Sequence, residues 1–203
     1  MSTFIPQPIV QSALPLASTK PPAYVSFSAE VNINTAEQLQ ALAANVVSQG
    51  HPEIHLLLST PGGAVQYGIT IYNFLLSLPI KVVTHNLGNV DSIGLVIYLA
   101  GCERYACPHT TFMLHGVAMQ VPAPTTLFEK NFQESLARLT ADQERIKGIY
   151  SERSEVSPEQ AESLFLQETT LSAEDAVGRG IVHEIRQLSI PAGSPILQLV
   201  FNR

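Results

Sequence analysis

The sequence predicts an α/β fold built on a mostly parallel sheet. Short apolar runs that end at turn residues alternate with longer stretches in which apolar residues recur at helical spacing. Such alternation is typical of domains that pack helices against parallel strands. The chain has 203 residues, of which 45% are hydrophobic and 14% are charged. These proportions suffice for one sizeable core and exclude an intrinsically disordered chain, which has high charge and few apolar residues.

Strands are predicted wherever a short apolar run is bounded by turn residues. They cover residues 24–31, 54–58, 80–84, 111–114 and 181–185. The run 54–58 is continuously apolar, as expected of a strand that is buried on both faces of a sheet.

Helices are predicted between these strands from apolar periodicity and capping signals. They cover residues 35–47, 65–78, 92–99 and 126–151, with two further helices after Ser157 and Ser172. Thr35 and Gln38 form a predicted capping box at the start of the first helix, and Ser157 and Gln160 form another. Two glycines end the last helix before the strand 181–185.

The chain divides into one domain with two extensions. Residues 1–22 hold five of the 14 prolines and show neither helical nor strand periodicity, so they are predicted to be a flexible N-terminal arm. Residues 23–190 form the predicted domain, and residues 191–203 form a C-terminal tail.

Composition argues against several classes of function. The net charge is −6 and no basic run occurs, so nucleic acid is not expected as a partner. Two cysteines are too few for a disulfide framework or a four-ligand zinc site. The longest apolar run has about ten residues, half of the ~20 that a membrane span requires, and no secretory signal is evident. A cytoplasmic protein without membrane association is therefore predicted, and its low charge indicates surface buried against other copies of the chain.

Three candidate features lie at the ends of predicted strands, where α/β proteins place their sites. Gly62 and Gly63 follow the strand 54–58, and paired glycines let a turn expose N–H groups that can bind an oxyanion. Ser92 lies in the first turn of a predicted helix, near the positive end of the helix dipole. His115 follows the strand 111–114, where it can act as a general base near neutral pH.

Each feature alone also has a purely structural explanation. The glycines fit an ordinary strand-to-helix turn, Asp91 and Ser92 are both good helix caps, and His115 fits a half-buried structural histidine. The other five histidines show no metal-ligand spacing, so no metal site is predicted.

Taken together and in order, the features resemble the ClpP family, the proteolytic subunit of the Clp protease, over residues 24–185. Residues 58–63 (LSTPGG) resemble the family's N-S-P-G-G turn, and residues 88–94 (GNVDSIG) resemble G-Q-A-A-S-M-G. Residues 112–115 (FMLH) are similar to V-M-I-H. Residues 171–177 (LSAEDAV) with 180–182 (GIV) resemble the family's L-S-A-x-E-A-V and G-L-V.

The resemblance implies a fold and a set of site residues. The fold is a spiral of repeated β-β-α units with a protruding handle helix, here at about residues 117–150. Ser92 would be the nucleophile and His115 the base, with the N–H groups of Gly63 and Ile93 forming the oxyanion hole. The family's triad acid stands three residues before the leucine of L-S-A, which makes it Glu168 in this chain. This chemistry needs no cofactor.

The resemblance also implies partners. Family members hydrolyse peptides or unfolded proteins inside a homo-oligomeric chamber of heptameric rings, and an ATP-driven AAA+ unfoldase supplies folded substrates. This chain has no G-x-x-x-x-G-K-[ST] loop that would bind nucleotide. Leu166 and Gln167 replace an Asp-Arg pair that helps two rings dock, which favours a single ring or an altered stacking.

Other departures concern the chemistry. Glu168 replaces the family's aspartate and is one methylene longer, and Asp91 replaces an alanine directly before the nucleophile. Asp91 could interact with His115 or cap the helix, and the cap is favoured. Residues 116–117 replace the family's Gln-Pro, which alters the predicted substrate groove.

Two other functions remain open from the sequence. One is a catalytically silent ring subunit or binding protein of the same fold, which the departures favour. The other is an acyl-CoA enzyme of the crotonase type, which shares the fold and the oxyanion hole but needs no Ser-His pair.

Overall fold

The computed structural model of the chain describes residues 20–119 and 128–200. Most of the predicted arm 1–22 and residues 120–127 of the predicted handle lie outside the described residues. The strands are β1 (Ala23–Ser28), β2 (Glu53–Thr60), β3 (Lys81–Asp91), β4 (Glu103–Ala106), β5 (Thr111–Leu114), β6 (Thr169–Ser172), β7 (Glu184–Ile185) and β8 (Ile196–Gln198). The helices are α1 (Ile33–Ser48), α2 (Val65–Ser77), α3 (Ile93–Tyr98), α4 (Glu129–Arg153), α5 (Pro158–Leu166) and α6 (Ala173–Val177).

The strands form one sheet in the order β6-β5-β3-β2-β1-β8, with β4 on β3 and β7 on β4. All pairs are parallel except β5 with β6. Besides β2, strand β3 pairs with two further strands, because its residues 83–86 pair with β4 and its residues 89–91 pair with β5. The α/β fold with a mostly parallel sheet is therefore confirmed. Strands β4, β6 and β8 were not among the predicted strands, and β8 lies within the predicted tail.

Side-chain caps explain where three of the six described helices, α1, α5 and α6, begin. Ser157 accepts the Gln160 N–H at 3.2 Å, and Ser172 accepts the Asp175 N–H at 3.1 Å, so the starts of α5 and α6 are as predicted. The capping box predicted for Thr35 and Gln38 is wrong. Asn32 caps α1, and Thr35 is the third residue of that helix. The Thr35 hydroxyl instead donates to the Glu30 carbonyl at 2.7 Å.

Helix α3 lies at the centre of the core. All six of its residues are buried, and Tyr98 packs edge-on against Phe112 of β5 at 5.1 Å between ring centroids. Burial of a complete helix leaves it no freedom to shift without opening a cavity. Ser92, which directly precedes α3, is therefore also restrained.

Helix α4, which corresponds to the predicted handle, has two unlike halves. Ile146 and Tyr150 in its C-terminal half are buried against the rest of the domain. Phe128, Phe132 and Leu136 lie four residues apart at its N-terminal end and are 72%, 59% and 66% exposed. The N-terminal half thus presents an apolar stripe that no described residue covers.

No helix in residues 20–119 and 128–200 combines the length and the apolar character needed to cross a membrane.

A row of rings crosses the sheet from β1 to β4. Tyr24, His55, His85 and Tyr105 contact one another in that order at 4.7 to 5.4 Å between centroids. His55 and His85 share a hydrogen bond of 2.8 Å between Nδ1 and Nε2, and His55 Nε2 lies 3.1 Å from Glu53 Oε1. Burial, with the nearby His55 as a second cause, lowers the pKa of His85 to about 3. The hydrogen bond from His55 lowers the pKa of Glu53 to about 2.

The depressed pKa of His85 predicts a loss of stability in mild acid. Between pH 6.5 and 3 the unfolded chain binds a proton at this histidine and the folded chain does not, so the unfolding free energy falls as the pH falls. We expect a loss of about 2 kcal/mol between pH 7 and pH 5. Most of it should vanish in His85→Gln, which stays neutral and can still form hydrogen bonds. Urea denaturation of the wild type and of His85→Gln at both pH values measures the two losses of unfolding free energy. Equal losses in the two proteins would contradict the lowered pKa of His85.

Candidate active site

The predicted site residues come from the carboxyl ends of three neighbouring parallel strands. The diglycine turn follows β2, Ser92 follows β3, and His115 follows β5. Parallel strands end at the same edge of a sheet, so the three segments meet there. They surround a cavity of about 250 Å³. Its lining residues are Pro61, Gly63, Val65, Ser92, Ile93, His115, Gly116, Val117, Ala118, Ile146 and Tyr150.

Ser92 occupies a strained turn between β3 and α3. Its φ of 56° and ψ of −128° are rare for a residue with a side chain, and such conformations cost about 1–3 kcal/mol. The Ser92 N–H donates to the Met113 carbonyl of β5 at 2.7 Å. This bond and the buried helix that follows hold the strained residue in place, with its side chain at the cavity.

The diglycine turn adopts a backbone that only glycine tolerates. Gly62 has a φ of 87° and Gly63 a φ of 145°. A Cβ atom on Gly63 would lie 2.2 Å from the Val31 carbonyl oxygen, and one on Gly62 would lie 2.7 Å from the Ser92 Cβ. The turn therefore packs directly against Val31, in the segment between β1 and α1, and against Ser92.

Two backbone N–H groups at the cavity lack acceptors. Those of Gly63 and Ile93 form no hydrogen bond within the described part of the chain. The Ile93 N–H is free because it belongs to the first turn of α3. Glycine at position 68 lets α2 approach α3 closely, since a Cβ there would lie 2.2 Å from Ile93 Cγ1. Two free N–H donors beside a serine hydroxyl are what stabilisation of an oxyanion requires.

His115 is one of the residues that line the cavity. Among the described residues, no hydrogen bond joins its ring to the Ser92 hydroxyl or to Glu168. In enzymes without substrate, such bonds are often long and shorten when substrate binds.

Glu168 lies outside the cavity lining. It is exposed, has a φ of 49°, and precedes β6. Leu114 pairs with Thr169 in the antiparallel register, so one further step would set Glu168 opposite His115. The structure thus brings Gly63, Ser92, Ile93 and His115 to one cavity, and Glu168 is not among its lining residues.

Asp91 does not cap α3, so that prediction is wrong. The N-cap residue is Ser92, and its side chain makes no capping bond. The Asp91 carboxylate accepts a hydrogen bond of 2.5 Å from Asn89 Nδ2, which lies 3.3 Å from the Thr60 carbonyl. Asp91 therefore belongs to a polar link between the ends of β2 and β3.

The cavity walls include residues that sequence reasoning did not assign to the site. Ile146 and Tyr150 reach it from α4, and their spacing of four residues was the only sequence signal for a shared face. A second cavity of about 490 Å³ shares Gly63, Val65 and Val117 with the first. The two cavities also share Ala118, and the lining of the second includes the charged residues Glu30, Arg138 and Asp142.

No group of three or more His, Cys, Asp or Glu side chains in the described ranges is arranged to hold a metal ion.

The contact between Gly62 and Ser92 predicts a specific cost of substitution. Gly62→Ala introduces a positive-φ alanine and pushes its Cβ into the Ser92 side chain. Gly50→Ala is the matched control, because Gly50 has a φ of 77° but nothing within 4 Å of its Cβ position. We expect Gly62→Ala to lower the unfolding free energy by about 1–3 kcal/mol more than Gly50→Ala. Chemical denaturation measures both, and equal losses would mean that Ser92 is not held against the turn.

Sequence comparison with known proteins finds relatives in one family. A family model described as Clp protease matches residues 22–188. The chain is 28% identical over 165 residues to ATP-dependent Clp protease proteolytic subunit 2 of Pseudomonas aeruginosa, covering 75% of this chain and 80% of that one. It is 30% identical over 94 residues to proteolytic subunit 1 of Mycobacterium leprae, covering 45% and 47%.

Solved structures give the same result. ClpP1 from Listeria monocytogenes matches with a TM-score of 0.69 at 27% identity, covering 82% of this chain and 92% of that one. An Asn-to-Asp mutant of ClpP1 from the same organism matches with a TM-score of 0.72 at 26% identity, covering 81% and 91%. Because the family model spans well over half of the 203 residues, the chain belongs to the Clp protease family and has the ClpP fold.

Proposed function

We propose that the chain is a serine-type endopeptidase that hydrolyses peptide bonds through an acyl-enzyme on Ser92. The observation that carries this proposal is the meeting of a serine hydroxyl, an imidazole and two free backbone N–H groups in one cavity. The proteolytic subunits to which the chain is related support the same reaction class.

The proposed reaction uses each group at a defined step. The Ser92 Oγ attacks the scissile carbonyl carbon while His115 takes its proton, and the Gly63 and Ile93 N–H groups bind the oxyanion. The tetrahedral intermediate collapses when His115 returns the proton to the leaving amine. Water then attacks the acyl-enzyme by the same route. Loss of one oxyanion donor typically raises the barrier by about 3–4 kcal/mol.

Glu168 is proposed to orient the imidazole and to stabilise its cation. The β5–β6 register supports this role, because continuing it one step beyond the last observed pair would set Glu168 opposite His115. The carboxylate makes no hydrogen bond to a described residue, so it is available to the His115 ring. The nearby alternative, Asp175, is already engaged, since its carboxylate accepts bonds from the Ser172 N–H and hydroxyl.

An extended polypeptide is the proposed substrate. The two cavities share lining residues and are proposed to form one groove for it, and apolar side chains such as Val65, Val117 and Ile146 line the cavity that holds Ser92. A groove of this shape suits a peptide or an unfolded segment better than a compact folded surface.

A homo-oligomeric ring, heptameric as in the family, is proposed to enclose this site. The exposed apolar stripe of Phe128, Phe132 and Leu136 on α4 supports burial against other copies. Related subunits carry the words "ATP-dependent" in their names, which supports an AAA+ unfoldase as the partner of this chain.

One alternative has an observation in its favour. A catalytically silent subunit of the same fold would explain why Ser92, His115 and Glu168 make no hydrogen bonds to one another. Active and silent subunits differ in the reactivity of Ser92, which the next experiment measures.

Ser92→Ala should abolish both peptide hydrolysis and labelling by a fluorophosphonate, while assembly remains unchanged. A fluorophosphonate forms a covalent bond only with an activated serine, so it reports on Ser92 independently of substrate preference. Ser77→Ala, which changes an exposed serine at the end of α2, should retain activity and labelling. An assembled wild-type protein that neither reacts nor hydrolyses a fluorogenic peptide library would support the silent subunit.

Glu168→Ala should lower kcat by about 100-fold or more, because the imidazole loses its orienting carboxylate. Glu168→Asp should retain much of the activity, since it keeps a carboxylate at the same position. Glu174→Ala, at an exposed glutamate of α6, is the control for loss of a nearby negative charge. Steady-state kinetics on one fluorogenic peptide compare all three, and unchanged kcat in Glu168→Ala would remove this residue from the mechanism.

A further inference from the structure

Thr60 links the diglycine turn to the segment that follows β1. It is the last residue of β2 and is fully buried, with 0% of its surface exposed. Its hydroxyl donates to the Ala29 carbonyl at 2.6 Å and accepts the Gly62 N–H at 3.1 Å. A threonine hydroxyl has one proton to donate, and here that proton is used within the protein.

The same two segments are joined twice more by main-chain bonds. The Val31 N–H donates to the Gly62 carbonyl at 2.7 Å, and the Ala64 N–H donates to the Val31 carbonyl at 2.8 Å. The C=O and N–H of a trans peptide point in opposite directions. The bond to the Gly62 carbonyl therefore turns the Gly63 N–H away from Val31.

The orientation of the Gly63 N–H depends on these hydrogen bonds, because a glycine restricts its own backbone very little. Gly62 and Gly63 lack the Cβ atoms that restrict other residues, so their peptides can rotate unless something holds them. Three successive peptides of the turn are held, one by Thr60 and two by Val31. Of these contacts, only the one from Thr60 is made by a side chain.

We infer that Thr60 is a positioning residue, whose hydroxyl orients the Gly63 N–H toward the oxyanion. The inference rests on the proposed peptidase function. Thr60 acts through the turn and does not itself line the cavity.

Thr60 also has a second contact that can be separated from the first. A Cβ atom on Gly94 would lie 2.4 Å from Thr60 Cγ2, so the methyl group packs against α3. Thr60→Ser keeps the hydroxyl and removes this methyl group. Thr60→Val keeps the methyl group and removes the hydroxyl. The pair therefore distinguishes a hydrogen-bonding role from a packing role.

Steady-state kinetics with a fluorogenic peptide provide the first test. Thr60→Val should lower kcat by about 10- to 100-fold and leave KM within about twofold, because oxyanion contacts are stronger in the transition state than in the bound substrate. Thr60→Ser should keep kcat within about threefold of wild type. A small effect of Thr60→Val, or an equal loss in Thr60→Ser, would overturn the inference.

Thr84→Val is the matched control. Thr84 is also 0% exposed, and its hydroxyl donates to the Tyr98 carbonyl at 2.8 Å, far from the turn. The Thr84→Val variant should lose about as much thermal stability as Thr60→Val and keep the wild-type kcat. Equal kinetic losses in Thr84→Val and Thr60→Val would show a general effect of destabilisation and overturn the inference.

Crystal structures of the two Thr60 variants test the same point without activity. The peptide between Gly62 and Gly63 should rotate or become disordered in Thr60→Val and stay unchanged in Thr60→Ser. An unchanged turn in Thr60→Val would overturn the role of Thr60 even in an active enzyme. A wild-type protein without hydrolysis or Ser92 labelling would instead overturn the proposed function, whatever the turn does.

Discussion

The geometry of the site depends on one hydrogen bond between two strands. The Ser92 N–H donates to the Met113 carbonyl at 2.7 Å, and it joins the end of β3 to β5 two residues before His115. The bond stabilises a Ser92 backbone that a serine rarely adopts, with a φ of 56°. A hydroxyl and an imidazole that are distant along the chain are held at one cavity by this contact. The pairing of residues 89–91 of β3 with β5 and the burial of α3 act together with this bond.

The second constraint is the close approach of backbones around the diglycine turn. Gly62 touches the Ser92 side chain, and Gly63 leaves no room for a Cβ beside Val31. The binding groups that result are main-chain N–H donors, which cannot be replaced by a change of side chain. The buried helix α3 on one side and the segment 29–31 on the other make this arrangement rigid. Rigid donors of this kind need no reorganisation when charge develops.

Local signals predicted those parts of the fold that local interactions determine. The strand Thr111–Leu114 and the starts of α5 and α6 follow from alternation and capping, and the structure has them at the predicted residues. The short strands β4 and β6 have weak apolar patterns and form because a neighbouring strand supplies their hydrogen bonds. Sequence periodicity cannot report such pairing.

The end of β3 shows how tertiary contacts override a local pattern. Residues 88–91 contain glycine, asparagine and aspartate, which favour a turn, yet they continue the strand. Asn89 and Asp91 are accommodated because their side chains bond to each other, and Asn89 also reaches β2. Similarly, Ser92, His115 and Gly63 could be proposed from motifs, whereas the hydrogen bonds of Thr60 and the place of Tyr150 at the cavity depend on contacts between distant segments. Glu168 could also be proposed from its place before the L-S-A motif, but its expected position opposite His115 rests on the β5–β6 register.

A crystal structure of the assembled protein with a peptide boronic acid would test the central claim most directly. Boronic acids form a tetrahedral adduct with an activated serine and so imitate the intermediate of acyl transfer. We predict a covalent bond from the Ser92 Oγ to boron, with one boronate oxygen about 2.7–3.1 Å from the Gly63 and Ile93 nitrogens. A boronate bound elsewhere, or no adduct at Ser92 in the ordered assembly, would contradict the account.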